Sequence, residues 1–375
     1  MPAPTYIFQS TLKSIERINF GFRERLAMYL KQRVERKMSL DAPIDTKVSS
    51  VGLDAAGLVA IADIGTVQER TALTGTSSIL DIFVLVPGLH LQQKAPGLNA
   101  GEYPACGALT SGYVFRVENP ATVFYLQRVG ETGQLTNVEV KRIEEGTAWY
   151  SGLVSRILPG QEKNILATAA YLLAVSWGIA VLVLLILSAD WWGVVVCGSL
   201  MTARFINFVV IQQRSGLGWA GADEGDERGD LLILLSQDRW VRMKGRVNDL
   251  KAVTSGQWLR RESSLEGWFT AIATVIVYLV AALASNVEQF GKILLLCLFV
   301  GSAGLLALAN TTTKELHMHG CIVRVTGERV KYNRRRDLAD ALIKETRRDD
   351  WALQMGMITP DKNSRDAIRG NAVIT

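Results

Sequence analysis

The chain is short of the residues and signals on which several classes of protein depend. Its 375 residues include four cysteines and three histidines. The cysteines show no framework spacing, and Cys197 and Cys297 fall within apolar runs, so a disulfide-stabilised extracellular domain is not expected. The N-terminal residues up to Leu30 lack the features of a secretory signal peptide. The first apolar run is therefore expected to act as its own insertion signal.

Motifs of the common enzyme classes are also missing. The sequence contains no Walker loop, no strand-linked GxGxxG, no GxSxG, no HExxH and no EF-hand loop. The basic run Arg334–Arg336 follows the last apolar run closely and is interpreted as an electrostatic contact with a membrane surface. We therefore expect no cofactor and no nucleic-acid partner.

Long apolar runs are what the sequence does have. Ile165–Leu187 contains no charged residue and, at about 1.5 Å per residue, is long enough to cross the ~30 Å hydrocarbon core of a bilayer. Trp191–Ile211 follows closely, and Trp268–Val287 with Ile293–Asn310 repeats the arrangement. These runs predict an α-helical polytopic membrane protein, with four transmembrane helices in two hairpins and small α+β cytosolic portions.

The distribution of lysine and arginine predicts the orientation. The turns Ser188–Asp190 and Asn286–Lys292 hold almost none of these residues, whereas residues 212–267 and 311–375 are rich in them. By the positive-inside rule, the N-terminal, central and C-terminal segments all face the cytosol. The lengths of the spans suit the endoplasmic reticulum better than the thicker plasma membrane.

The N-terminal stretch Ser10–Met38 has the pattern of a basic amphipathic helix. Apolar residues recur every three or four positions, and eight basic residues outnumber three acidic ones. Such a helix can lie on an anionic lipid surface, which is the partner we expect for residues 10–38. The alternative is that its apolar face packs on the protein's own domain.

Residues 48–160 are expected to form a small α+β cytosolic domain. The apolar runs Gly57–Ile64 and Ile79–Leu91 are too short to span and indicate buried core or a re-entrant segment. Three runs rich in β-branched and aromatic residues then predict a three-stranded antiparallel meander. These runs are Tyr113–Val117, Thr122–Val129 and Gln134–Ile143.

The central segment (212–267) and the C-terminal segment (311–375) follow one plan. In the first, a β-hairpin turns at Gln237-Asp238 and a helix follows; in the second, strands from Cys321 to Tyr332 precede a helix at Asp337–Met355. Two apolar runs come before each hairpin. The repetition is weak evidence for an internal duplication.

His317, His319 and Cys321 alternate beyond the last apolar run. On one β-strand all three would face the same side, as metal ligands could. The sequence offers no fourth ligand at a recognisable spacing, so we expect an ordinary strand with histidines near lipid headgroups, and no bound metal.

Arg204 and Asn207 lie one helical turn apart within the second apolar run. An intramembrane charge often marks a functional site. Because Arg204 is near the cytosolic end, we favour an arginine that extends to the interface. Membrane-interface positions are expected at Arg204, Trp191, Trp192 and Trp268.

The segment Asp230–Leu259, DLLILLSQDRWVRMKGRVNDLKAVTSGQWL, resembles a stretch common in multi-span membrane proteins of filamentous fungi, a group without an established activity. Some are encoded among secondary-metabolite genes, and an indole-diterpene cyclase is one membrane protein of that general kind. The resemblance covers this stretch and, loosely, the four-span layout. It implies no catalytic residue.

Three functions are consistent with these features. The leading hypothesis is a membrane scaffold or accessory subunit in fungal secondary metabolism, with protein partners in the membrane. The alternative is a membrane-embedded enzyme, a cyclase or tailoring enzyme acting on a lipophilic terpenoid or polyketide; a transporter comes third. The acids available to such an enzyme are Asp63, Asp81, Asp190 and Glu288.

Overall fold

The computed structural model of the chain describes residues 59–143, 164–218 and 221–359, all of which belong to one compact unit, Leu53–Thr375. The amphipathic stretch Ser10–Met38 lies outside the described residues. The α-helices are α1 (Thr66–Thr74), α2 (Pro120–Val129), α3 (Ile165–Leu187), α4 (Trp191–Arg214), α5 (Val247–Thr254), α6 (Ser264–Leu283), α7 (Gln289–Thr312), α8 (Arg335–Thr346) and α9 (Asp350–Gln354). Short 3-10 helices cover Ile79–Phe83, Leu89–Asn99 and Ala284–Asn286.

All the β-strands in the described residues form one sheet. Its order is β2-β1-β4-β5-β3-β7-β6, and β8 pairs with β3. Only the β3–β5 pair is parallel. The strands are β1 (Ala105–Ala108), β2 (Val114–Arg116), β3 (Gln134–Arg142), β4 (Arg228–Leu235), β5 (Arg239–Arg246), β6 (Glu315–Met318), β7 (Cys321–Val325) and β8 (Val330–Lys331).

The sheet draws its strands from three separate parts of the chain. β1 to β3 precede the apolar helices, β4 and β5 lie between the two helix pairs, and β6 to β8 follow them. The described parts of the segments 48–160, 212–267 and 311–375, which we expected to be separate portions, therefore contribute to a single sheet. Their cohesion comes from a core between the sheet and the helices α2 and α5.

The predicted antiparallel meander is wrong. Its first and third runs are the strands β2 and β3, but Pro120–Val129 is the helix α2. The Asn119 side chain accepts hydrogen bonds from the backbone N–H groups of Ala121 and Thr122, and Pro120 occupies the first helical turn. This N-terminal cap and the packing of the helix on the core override the strand preference of its β-branched residues.

Two other local predictions fare differently. The hairpin is confirmed, with Gln237 and Asp238 at positive φ of 62° and 53° between β4 and β5. The helix predicted over Asp337–Met355 is divided into α8 and α9 instead. Arg347, at φ 56°, terminates α8 in the left-handed conformation.

Four helices of the described chain are long and apolar enough to cross a membrane: α3, α4, α6 with its 3-10 extension, and α7. Each helix packs mainly against a helix of the other pair, where α3 and α4 are the first pair along the chain and α6 and α7 are the second. α3 makes its most extensive contacts with α7, and α4 makes its most extensive contacts with α6. If the first helix pair is exchanged with the second, α3 takes the place of α6 and α4 that of α7, so the α3–α7 contact becomes the α6–α4 contact. An internal duplication would produce this symmetry.

The Ile79–Leu91 run packs among these helices, which agrees with buried core and with a re-entrant segment alike. Together with its flanking residues, 77–93, it is called the inserted segment below. Leu85 and Leu89 are fully buried in a core with Val181, Leu200 and Val277. The Phe83 carbonyl oxygen lies against Gly178. Gly178 is about 20 Å along α3 from Ile165 at 1.5 Å per residue, so the segment reaches the middle of the helix.

Candidate functional site

Arg204 is the centre of a polar cluster inside the helix bundle. Its side chain is only 1% exposed, on the inner side of α4. Nε donates to the carbonyl oxygen of Asp81 at 3.1 Å, and Nη1 donates to Gln92 Oε1 at 2.8 Å. Our prediction that Arg204 extends to the membrane interface is therefore wrong, because two acceptors on the inserted segment hold the guanidinium in the interior.

The Asp81 carboxylate is the acidic member of this cluster. Oδ1 accepts a hydrogen bond from the Tyr171 hydroxyl at 2.8 Å. Oδ2 accepts from the Ser77 hydroxyl at 2.7 Å and from the backbone N–H of Ser78 at 2.8 Å. Three donors with neighbouring guanidinium charge stabilise a buried carboxylate, and they also restrain the start of the inserted segment.

A second buried guanidinium belongs to Arg70 of α1. Its Cζ lies 5.0 Å from the centre of the Tyr171 ring, within the range of a cation–π interaction. Nη1 is 3.4 Å from Thr313 Oγ1. Two arginines and one aspartate therefore share the cluster, which gives it an excess of positive charge.

Glutamine side chains extend the cluster along α4. Gln92 Nε2 donates to Thr71 Oγ1 at 3.0 Å and to Ser77 Oγ at 3.2 Å. Gln93 donates to Asn207 Oδ1 at 3.2 Å and accepts from Arg214 Nη1 at 2.7 Å. The inserted segment is thus attached to α4 by polar contacts over about three helical turns.

The polar groups inside the bundle mainly bond to one another. The apolar helices bury the side chains of Tyr171, Arg204, Asn207, Ser302 and Asn310. The described contacts of Arg204 and Asp81 join the helices to the inserted segment. These two residues therefore hold the segment in place between the helices.

Asp190 and Glu288, two of the acids considered for an enzyme, meet through the Glu288 backbone. Asp190 is buried and caps α4, accepting from the backbone N–H of Gly193 at 3.0 Å. It also accepts from the backbone N–H of Glu288 at 3.2 Å, whereas the Glu288 side chain is exposed. Asp190 therefore joins the two interhelical turns through backbone groups.

His317, His319 and Cys321 do not share one strand, so the geometry behind the metal candidate is wrong. His317 lies in β6 and Cys321 lies in β7, whereas His319 lies in the turn between these strands, with φ 48°. Burial lowers the pKa of His317 to about 4, with a further contribution from the Arg70 charge. Within residues 59–143, 164–218 and 221–359, no group of three or more His, Cys, Asp or Glu could hold a metal ion.

The remaining candidates lie near the surface of the bundle. Trp191 and Trp268 are 68% and 70% exposed, and Trp192 is also exposed. Asp63 is exposed too, and its backbone lies against Gly88 of the inserted segment. The placement of these tryptophans at a membrane interface stays a prediction.

A charged cleft of about 860 Å³ opens at one end of the sheet. Five basic side chains outnumber three acidic ones in its lining. Arg142 pairs with the buried Asp249 at 2.9 Å, and Arg246 pairs with Asp226 at 3.2 Å. Arg228 is exposed and makes no ion pair with any residue of the described ranges. The charged lining consists of Lys141, Arg142, Arg228, Lys244, Arg246, Glu139, Asp230 and Asp249.

Comparisons with known proteins give no relative. No family model, curated protein or solved structure matches this chain. The function must therefore be argued from the arrangement of its own residues.

Sequence reasoning missed Arg70, Tyr171 and Gln92. Arg70 and Gln92 lie in short segments outside the apolar runs, and the single tyrosine of α3 looked like an ordinary interruption of an aliphatic helix. The one available signal was Arg204, because an arginine within an apolar run requires polar partners when it is buried. Nothing local identified which residues these partners would be.

Proposed function

We propose that the protein is a multi-pass membrane scaffold or accessory subunit that holds a sheet domain at the cytosolic face of the endoplasmic reticulum. The observation that carries the proposal is the single sheet built from three segments of the chain. If the four apolar helices cross a bilayer, those three segments must lie on the same side. This agrees with the concentration of lysine and arginine in them.

The contacts inside the bundle support an anchoring role. Asp81 and Asp190, two of the acids considered for catalysis, accept hydrogen bonds that fix the inserted segment and the interhelical turns. A transport pathway would need polar groups available to a solute. In the described bundle Arg204 instead bonds to Asp81 and Gln92.

In this proposal the charged cleft on the sheet is the surface at which the scaffold binds a partner protein. Its excess of basic side chains favours a partner with an acidic surface. The resemblance of Asp230–Leu259 to fungal membrane proteins supports a place for this partnership in secondary metabolism, and residues 10–38 would supply a further contact with anionic lipid.

The test compares variants in a strain that lacks the protein. The double variant Arg228→Glu and Arg246→Glu should be present at the normal level but fail to restore the metabolite profile and lose its co-purifying partner. The double variant Arg116→Glu and Lys331→Glu is the matched control, because both side chains are exposed, lie outside the cleft and undergo the same change of charge. Full restoration by the double variant, with loss of product in Asp63→Asn, would support a membrane-embedded enzyme and overturn the scaffold.

A further inference from the structure

Another cavity, of about 420 Å³, lies where α1 and α2 meet the C-terminal end of α7. Arg128 Nη2 donates to the carbonyl oxygens of Asn310 at 2.7 Å and of Thr311 at 2.9 Å, which fixes the guanidinium at the end of α7. The volume is within the range of small-molecule sites. The cavity is lined by Glu69, Leu98, Phe124, Gln127, Arg128 and Thr311.

The two charged side chains of this cavity, Glu69 and Arg128, are not paired. Within the described ranges neither forms an ion pair with any residue, and they do not pair with each other although both line the same cavity. Glu69 is half-buried, and its carboxylate accepts no hydrogen bond from those residues. An acid and a base with space between them suit a ligand that carries both a positive and a negative charge.

The cavity is next to the end of a helix that is proposed to span the membrane. Thr311 is the next-to-last residue of α7, and Leu308, on the same face one turn earlier, is 42% exposed. A head group held beside Thr311 would therefore have its acyl chains along the exposed side of α7. This step rests on the proposed function, which places the C-terminal end of α7 at the cytosolic face, where phospholipid head groups lie.

The lining of the cavity favours one type of head group. Arg128 Nε and Nη1 donate to no described residue and are available to a phosphate, and the Glu69 carboxylate can accept from a primary ammonium. A phosphate without an ammonium would be repelled by Glu69. A trimethylated ammonium donates no hydrogen bond, and among the described lining residues Phe124 alone is aromatic, which is too few for an aromatic cage.

We propose that this cavity binds the phosphoethanolamine head group of a phospholipid in the cytosolic leaflet. Arg128 donates to the phosphate, and Glu69 accepts from the ammonium. Leu98 and Phe124 contact the hydrocarbon part of the head group. The acyl chains lie along α7 at Leu308.

The test measures lipid binding to the full-length protein in detergent by native mass spectrometry. Phosphatidylethanolamine should bind about tenfold more tightly than phosphatidylcholine with the same acyl chains. In Glu69→Gln this preference should be lost, whereas the affinity for phosphatidic acid should rise, because the repulsive carboxylate is gone. Glu328→Gln is the matched control, because Glu328 is exposed, lies outside the cavity and makes no ion pair in the described part of the chain. It should bind all three lipids as the unaltered protein does.

Equal affinity of the unaltered protein for phosphatidylethanolamine and phosphatidylcholine would overturn the proposal, and so would identical binding by Glu69→Gln. Glycerophosphoethanolamine, which has the same head group without acyl chains, should compete only weakly. If it displaced the lipid at an equal concentration, the ligand would be a soluble phosphoethanolamine compound and the lipid assignment would be wrong. Binding in detergent does not depend on orientation in a bilayer, so the lipid site and the scaffold can fail separately.

Discussion

The carbonyl oxygen of Phe83 occupies the space that a side chain at Gly178 would need. This contact joins the inserted segment to the middle of α3, where even a methyl group would collide with backbone. A backbone obstacle cannot move aside as a flexible side chain can. The glycine at this position is therefore a requirement of the fold.

Gly178→Ala is expected to destabilise the protein by about 3 kcal/mol, because the added methyl group must displace the Phe83 backbone. Gly198→Ala in α4 is the matched control, since a Cβ there meets nothing within 4 Å. Its better helix propensity should leave stability unchanged or raise it by up to about 1 kcal/mol. Thermal unfolding in nanodiscs compares the two variants. Equal behaviour would contradict the close approach of Phe83.

Arg204→Gln should cost about 3 kcal/mol, because it leaves two buried acceptors, the Asp81 carbonyl oxygen and Gln92 Oε1, without their donor. Phe205→Leu, at the adjacent exposed position, should change stability by less than about 1 kcal/mol. Protease susceptibility of the segment 77–93 should increase in Arg204→Gln alone. An unchanged digestion pattern would show that the polar contacts do not retain this segment.

The stability of the protein should depend on pH through His317. The folded state holds its pKa at about 4, below the ~6.5 of an unfolded histidine. As pH falls from about 6.5 to about 4, the unfolded chain binds the proton first, so the free energy of unfolding decreases by up to about 3 kcal/mol and then levels off. Arg70 and Glu315 face this histidine. His317→Gln should show a shallower decrease in chemical unfolding measured across this range, and an identical pH profile would refute the assignment.

Protease added to sealed microsomes should digest the central and C-terminal segments, as the proposed cytosolic sheet requires. Asn310, within an Asn-Thr-Thr acceptor sequence, should carry no glycan. Its side chain is buried and donates to the Thr66 carbonyl oxygen at 2.8 Å. Protection of residues 221–259 would reverse the proposed orientation.

A peptide covering residues 10–38 should gain helical circular dichroism on phosphatidylserine vesicles and little on neutral ones. High salt should release it, because the Debye length contracts from about 10 Å at 0.1 M to about 3 Å at 1 M. Equal helicity in buffer without vesicles would indicate that its apolar face belongs to the protein's own core.

Local sequence was sufficient to predict an element when the residues that determine its structure lie within the element itself. The apolar runs predicted four long helices because length and composition alone decide whether a helix can cross a bilayer. The β4–β5 hairpin was predictable because its turn and both strands are adjacent in the chain. At Pro120–Val129 the local signals conflicted, and the cap at Asn119 together with burial decided for a helix.

Tertiary structure alone decided which distant residues meet. Arg204 donates to a carbonyl oxygen 123 residues away, so no window along α4 reveals whether its charge turns inward or reaches an interface. The same holds for the sheet, where β3 lies between β5 and β7 from two other parts of the chain. The free energies of strand pairing and of burying a charge depend on contacts between distant segments. They arise only when helix packing has brought those segments together.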